Sequence, residues 1–162
     1  MKNAKTVKAS QIEMIELVLP NDTNILGNLL GGRLMHWIDI SAALAASRHC
    51  NTIAVTAAVD DLNFHHPIYL GNIVRLKASV NRAFNTSMEV GVRVEVEDIK
   101  TGFMKHTNTA YLTFVSIDTE TRKPMPVPEV IPENDEEKRR MAQALLRRNQ
   151  RLSQKHGIVQ TI

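Results

Sequence analysis

The chain has 162 residues, 43% of them hydrophobic and only 4% aromatic, and carries a formal net charge of +3. That length suits one globular domain rather than two, and so few aromatic residues exclude a base-stacking platform for single-stranded nucleic acid. Seven of the twenty Lys/Arg and four of the seventeen Asp/Glu lie from Glu133 onward, leaving thirteen of each before it, so no basic nucleic-acid surface spreads over the body.

Residues 1–14, "MKNAKTVKASQIEM", are basic but lack a following apolar h-region, and no later run approaches a membrane span. A reducing cytoplasm with no membrane partner is the expected setting. Residues 1–8 read as an N-terminal tail, 9–130 as the folded domain and 131–162 as a linker with a basic helix. "QIEMIELVLP" alternates as a first strand and is stopped by Pro20, which cannot donate to a ladder. A polar loop carrying Asn24 follows. Asn24 can donate and accept at once, which suits a turn residue and equally suits holding a water or a carbonyl.

From about Gly32 to His49, Leu34, Met35, Ile38, Ala42, Ala45 and Ala46 recur at spacings of three and four, one face of a helix. The alanines make that face thin, so a sheet can wrap closely around it. Gly31 and Gly32 open the helix, where the first backbone N–H groups have no intrahelical acceptor and absent side chains allow close approach. They read as turn residues or as an oxyanion site. Asp39 falls at the border of the apolar stripe, roughly two turns from the glycines. A carboxylate there is either a structural cap on a neighbouring strand or a general base or nucleophile. His36 falls on the opposite, solvent-facing side. Cys50, the only cysteine, cannot form an internal disulfide and reads as a half-buried thiol.

Four β-rich segments come next, "TIAVTAAVDDLNF", "NIVRLKASVNRAF", "TSMEVGVRVEVED" and "FMKHTNTAYLTFVSID", joined by short turns. Consecutive strands without helical crossovers imply an antiparallel sheet and an α+β class. One long helix against such a curled sheet is the hotdog arrangement. His49, His65, His66, His106 and His156 show no metal-ligand spacing, and no Cys/His cluster suggests zinc. "TRKPMPVPEVIP" marks a linker or an extended edge. "ENDEEKRRMAQALLRRNQRLSQKHG" then reads as a second helix with acids in its first turn and bases later. Its narrow stripe of Met141, Ala142, Leu145 and Leu152 predicts a mostly solvated helix resting on the body or on a neighbour, with contact to a phosphate-bearing ligand as the other reading.

The spacing D-T-N-x-x-G-N-x-x-G-G-x-L-M-x-W-x-D from Asp22 to Asp39, continuing into "AASRHC", resembles the acyl-CoA thioesterases of the hotdog superfamily. The likeness runs on through "VTAAVDDLNFHHPIYLGNIV", "NTSMEVGVRVE" and "AYLTFVSID", about residues 10 to 130. It implies hydrolysis of an acyl-CoA to free acid and coenzyme A without metal or cofactor, coenzyme A being part of the substrate. It also implies a thioester held between two hotdog units, with Asn24 from one and Asp39 from the other. Gly31 and Gly32 correspond to the family's glycine pair, and Thr86 and Ser87 to a strand start on the coenzyme A side. Where the family has glycine shortly before that pair, this sequence has Phe84. A chain with room for one unit must then form at least a homodimer, and a trimer of dimers is the expected assembly. A non-catalytic acyl-CoA sensor is the competing class.

Overall fold

The structure is a computed structural model and describes residues 3–60 and 62–159, with side chains through Lys155; the side chain of His156 lies outside the described residues. In chain order the elements are β1 (Lys5–Thr6), β2 (Ile12–Leu17), α1 (Gly31–Cys50), β3 (Ile53–Val59), β4 (Ile73–Ala83), β5 (Ser87–Glu97), β6 (Met104–Ile117), β7 (Val130–Ile131) and α2 (Asp135–Val159). Five of the strands form one antiparallel sheet in the order β2-β4-β5-β6-β3. This is the α+β hotdog fold that the strand and helix order implies.

Period-two alternation sorts the sheet into two faces. Met88, Val90, Val92 and Val94 of β5 are completely buried, as are Leu112 and Phe114 of β6, and they point at Ile38, Ala42, Ala45 and Ala46 of α1. The alanines allow the helix axis to approach the sheet, and register shifts at Thr56/Ala58, Val80/Arg82 and Val94/Glu95 curl the strands around it. The buried face of α1 is wider than its alanine stripe, since Trp37, Ser41 and His49 join it while Met35 is only half-buried. Asn51 in the left-handed conformation (φ 55°) ends the helix.

Residues of opposite parity on β5 face outward, where α2 lies. Glu89 is 2% exposed there and accepts two hydrogen bonds from Arg147, at 2.7 and 3.0 Å. The Arg147 guanidinium stacks on Tyr111 at 3.6 Å, and Asn81 donates to Glu89 at 3.0 Å. A side chain on Gly91 would bring its Cβ within 2.8 Å of that same Asn81. Arg151 reaches Asp60 at 3.0 Å, and Ala144 is fully buried. The predicted second helix is present, but its docking differs from the apolar stripe read from sequence. Ala142 and Leu152 are exposed, whereas Met141 packs against the core cluster beside buried Ala144, and Arg147 and Arg151 meet buried Glu89 and half-buried Asp60.

The expected N-terminal tail and the proline-rich linker are joined as well. Lys5 and Thr6 pair in parallel with Val130 and Ile131, and the Lys5 N–H donates to the Glu129 carbonyl at 2.9 Å. His49 sits beneath this ladder, its Nε2 2.8 Å from the Pro128 carbonyl oxygen. Burial pushes its pKa below the ordinary value of 6.5, with the Pro128 contact acting the other way.

Candidate active site

The segment before α1 is held by its own polar groups. Asp22 is buried, accepts the Leu19 N–H at 2.9 Å and pairs with Arg33 on the first turn of α1 at 3.1 Å. Asn24 is exposed. Its Oδ1 accepts the N–H groups of Leu26 (2.9 Å) and Asn28 (3.2 Å), an Asx turn that fixes the side chain and leaves the amide hydrogens unengaged among the described residues. The turn reading of Asn24 is therefore met by its oxygen, and its amide nitrogen is available.

Leu30 caps α1 without a side-chain bond, and its carbonyl accepts the N–H groups of Arg33 and Leu34 at 3.0 and 3.1 Å. The N–H groups of Gly31 and Gly32 meet no acceptor among the described residues. Neither glycine has a positive φ, so the backbone conformation does not demand glycine. The space around the two positions is also open or only in ordinary contact. A Cβ on Gly32 would meet nothing within 4 Å, and one on Gly31 would lie 3.6 Å from the ring of Phe64. Two exposed donors thus stand at the positive end of a 20-residue helix.

Asp39 is half-buried on α1, as its place at the stripe border implies, and its Oδ1 accepts the Thr56 hydroxyl of β3 at 2.6 Å. Thr56 was not legible as a site residue. It stands in a run of small and β-branched residues, and only the packing of β3 beside α1 shows what it touches. Eight residues separate Gly31 from Asp39, about 12 Å along the helix axis. A carboxylate must come within about 3 to 3.5 Å of a carbon it attacks or of the water it activates. Within one chain Asp39 therefore cannot serve a carbonyl docked on Gly31 and Gly32.

Thr86 ends the β4–β5 turn and Ser87 begins β5, and the structure does not gather them with Asp39. Thr56 pairs with Phe114, which pairs with Met88, on the α1 side of the sheet. Ser87 is the adjacent residue of opposite parity, so it faces α2, and its Oγ accepts Arg148 at 3.2 Å. Phe84, the residue in place of the family glycine, lies under the guanidinium groups of Arg148 (4.2 Å) and Arg82 (5.7 Å).

Around Asp39 the surface is apolar and uncovered. Ile40 and Leu44 of α1 and Ile53, Val55 and Val59 of the edge strand β3 are all more than a third exposed. Among the described residues no group of three His, Cys, Asp or Glu side chains could hold a metal ion, and no helix is long and apolar enough to cross a membrane.

The thioesterase superfamily matches residues 26–103. Over 143 residues the chain is 43% identical to acyl-coenzyme A thioesterase 11 of Mus musculus; the match covers 88% of this chain and 24% of the mouse protein, so the chain spans about a quarter of that relative. Two solved structures match over nearly their whole length. An apo-hexameric acyl-CoA thioesterase superposes with a TM-score of 0.90 at 38% identity, covering 94% of this chain and 97% of that one. An acyl-CoA hydrolase from Staphylococcus aureus, in complex with butyryl coenzyme A, coenzyme A and coenzyme A disulfide, superposes with a TM-score of 0.89 at 35% identity, over 98% and 96% of the two chains. Structures of that hydrolase also exist with an asparagine, an aspartate or a threonine replaced by alanine, the three lying fifteen and seventeen residues apart in its chain.

Proposed function

Because the chain belongs to the acyl-CoA thioesterases of the thioesterase superfamily, we propose that it hydrolyses acyl-CoA thioesters to a carboxylic acid and coenzyme A, at a site shared between two protomers. The observation that carries the shared site is the span of about 12 Å between the Gly31/Gly32 donors and Asp39 on one helix. Two copies of α1 running antiparallel across a two-fold axis bring each Asp39 to the other's N-terminus. The uncovered Ile40, Leu44, Ile53, Val55 and Val59 supply an apolar surface for that contact, and β3 offers a free edge. Residue types add support. Asn24, Asp39 and Thr56 are an asparagine, an aspartate and a threonine at the same two spacings as those replaced in the S. aureus hydrolase.

In the reaction, the thioester oxygen accepts from the N–H groups of Gly31 and Gly32, and the Asn24 amide orients the water or the carbonyl. Asp39 of the partner subunit, held by its threonine, either takes the proton of a water as that water attacks the carbonyl carbon, or attacks directly and forms an anhydride that water opens. Charge developing on the oxygen is met by fixed donors at the helix N-terminus. Collapse breaks the C–S bond, and the coenzyme A thiolate leaves and takes up a proton. Thr86 and Ser87 are proposed to lie along the coenzyme A side of the groove, with Phe84 and its two arginines beside them. The assembly is a dimer and, with a hexameric neighbour as support, a trimer of dimers; the expected location is the cytoplasm.

The test uses two inactive proteins, Asn24→Ala and Asp39→Ala, unfolded and refolded together in equal amounts, with release of free thiol from butyryl-CoA as the readout. With random mixing, half the dimers are mixed and each has one intact site, giving roughly a quarter of wild-type activity. Proven subunit mixing with no recovered activity rejects the shared site.

A further inference from the structure

Of the four phenylalanines, Phe114 lies in the core and Phe84 lies beneath two arginines. Phe64 belongs to neither setting. It is 49% exposed and stands outside the core cluster, although Leu62 is packed against that cluster and Ile68 is buried in it. Its ring lies directly over the start of α1, with Cε2, Cζ and Cδ2 at 3.6, 3.9 and 4.0 Å from where a Gly31 Cβ would be. The ring thus lies at van der Waals distance from the side-chain position of residue 31.

The chain is tied down on both sides of Phe64. Asn108, buried on β6, donates its side-chain amide to the Asn63 carbonyl immediately before Phe64. Beyond it, the Ile68 carbonyl accepts the Leu29 N–H at 2.7 Å, Asn28 bridges to Tyr69, and the Leu70 N–H donates to the Gly27 carbonyl at 2.9 Å. The segment that carries Phe64 is thereby tied to the loop that carries Asn24, and the two frame the N-terminus of α1 together. Nothing lies within 4 Å of a Cβ on Gly32, so the helix start has an aromatic ring beside Gly31 and open space beside Gly32.

We infer that Phe64 determines which acyl groups the site accepts, passing an unbranched chain along its ring and rejecting one branched at the carbon next to the carbonyl. The role rests on the thioester-hydrolysing reading above. A carbonyl oxygen bonded to the Gly31 and Gly32 N–H groups lies about 3 Å from those nitrogens. The carbon next to that carbonyl then falls within van der Waals reach, about 4 Å, of a ring already seated against Gly31. A single methylene passes; a methyl branch there meets a rigid aromatic wall. One methyl or methylene group in such a pocket changes relative rates by about 10- to 200-fold.

The experiment compares kcat/KM for butyryl-CoA and isobutyryl-CoA, which have the same number of carbons, in the wild type, Phe64→Ala and Phe64→Leu. Wild type is expected to prefer the straight chain, Phe64→Ala to narrow that preference about tenfold or more, and Phe64→Leu to fall between. The leucine variant keeps the test decisive should the alanine variant lose its native oligomeric size. A ratio unchanged within about twofold, whatever happens to the absolute rates, overturns the role of Phe64 while leaving the hydrolysis intact. A wild type that releases no thiol from either substrate overturns both.

Discussion

Replacing Arg147 by Met removes the one cation among the described residues that pairs with Glu89, a carboxylate 2% exposed on the outer face of the sheet. Two hydrogen bonds at 2.7 and 3.0 Å are lost, together with the stacking on Tyr111, and the Asn81 amide at 3.0 Å is left as the remaining side-chain donor. Arg147 itself is one-fifth exposed; burial works against its charge, and the bonds and charge of Glu89 outweigh that and hold its pKa above the usual value. Removing one partner of a buried pair costs about 3 to 5 kcal/mol, because the other charge is stranded. For a chain of this length each kcal/mol lowers Tm by about 2 to 4 °C, so a drop of about 6 to 20 °C is expected. Calorimetry or circular dichroism at fixed protomer concentration reads it, the concentration being fixed because assembly contributes to apparent stability. The double variant Glu89→Gln/Arg147→Met, which strands no charge, should recover most of the loss. Glu136→Gln, at an exposed helix pair, should leave Tm where it is. A single-variant cost below about 1 kcal/mol would show that Glu89 finds water or another donor, and would refute this account of how α2 is held. By the same reasoning a chain cut before Glu133, which also loses Ala144, Arg148 and Arg151, should be severely destabilised rather than merely shortened.

Asp39→Asn should keep the fold and the oligomer while cutting thioester hydrolysis about a hundredfold or more, measured as thiol release; near-normal turnover would exclude Asp39 as the reacting carboxylate. Thr56→Val removes the 2.6 Å bond to Asp39; since hydrogen bonds to charged groups are worth about 1.5 to 3 kcal/mol, kcat should fall about 10- to 100-fold if that bond sets the carboxylate's position. An unchanged kcat would leave Thr56 a packing residue. His49 is buried with its pKa lowered, so the folded state resists a proton that the unfolded state accepts. Its contribution is therefore complete above pH 6.5 and declines as pH falls below that, by up to about 1.4 kcal/mol per pH unit. The urea midpoint should drop between pH 7.5 and 5.5 by less in His49→Gln than in wild type; equal drops would remove His49 from the acid response.

The architecture was readable because two periods announce it. Leu34, Ile38, Ala42 and Ala45 repeat at helical spacing, and Val90, Val92 and Val94 alternate, so element type and order follow from the chain alone. Asn24 and Asp39 were readable as candidates through their spacing to Gly31 and Gly32. Thr56 was not, since a threonine on an edge strand looks like ordinary β-sheet composition until the helix beside it is placed. The arginine contacts of α2 were hidden for a related reason. Searching a helix for its apolar side finds Met141 and Leu145, but here arginines turn inward to meet Glu89 and Asp60, and those acids lie 58 and 91 residues away from their partners. Charge complementarity across such separations leaves no local pattern.

The small parallel ladder between β1 and β7 bears on how the protein is made. Lys5 and Thr6 leave the ribosome early, yet their pairing partners, Val130 and Ile131, follow about 125 residues later. At about 5 to 20 residues per second the early strand waits some 6 to 25 seconds for its mate. Glu89 likewise waits for Arg147, 58 residues downstream. During synthesis the sheet can fold around α1 with its outer face still carrying an unanswered buried carboxylate. Closure of that face waits until α2 has been made. Slowing the ribosome over α2 should therefore lengthen the life of a protease-sensitive nascent domain.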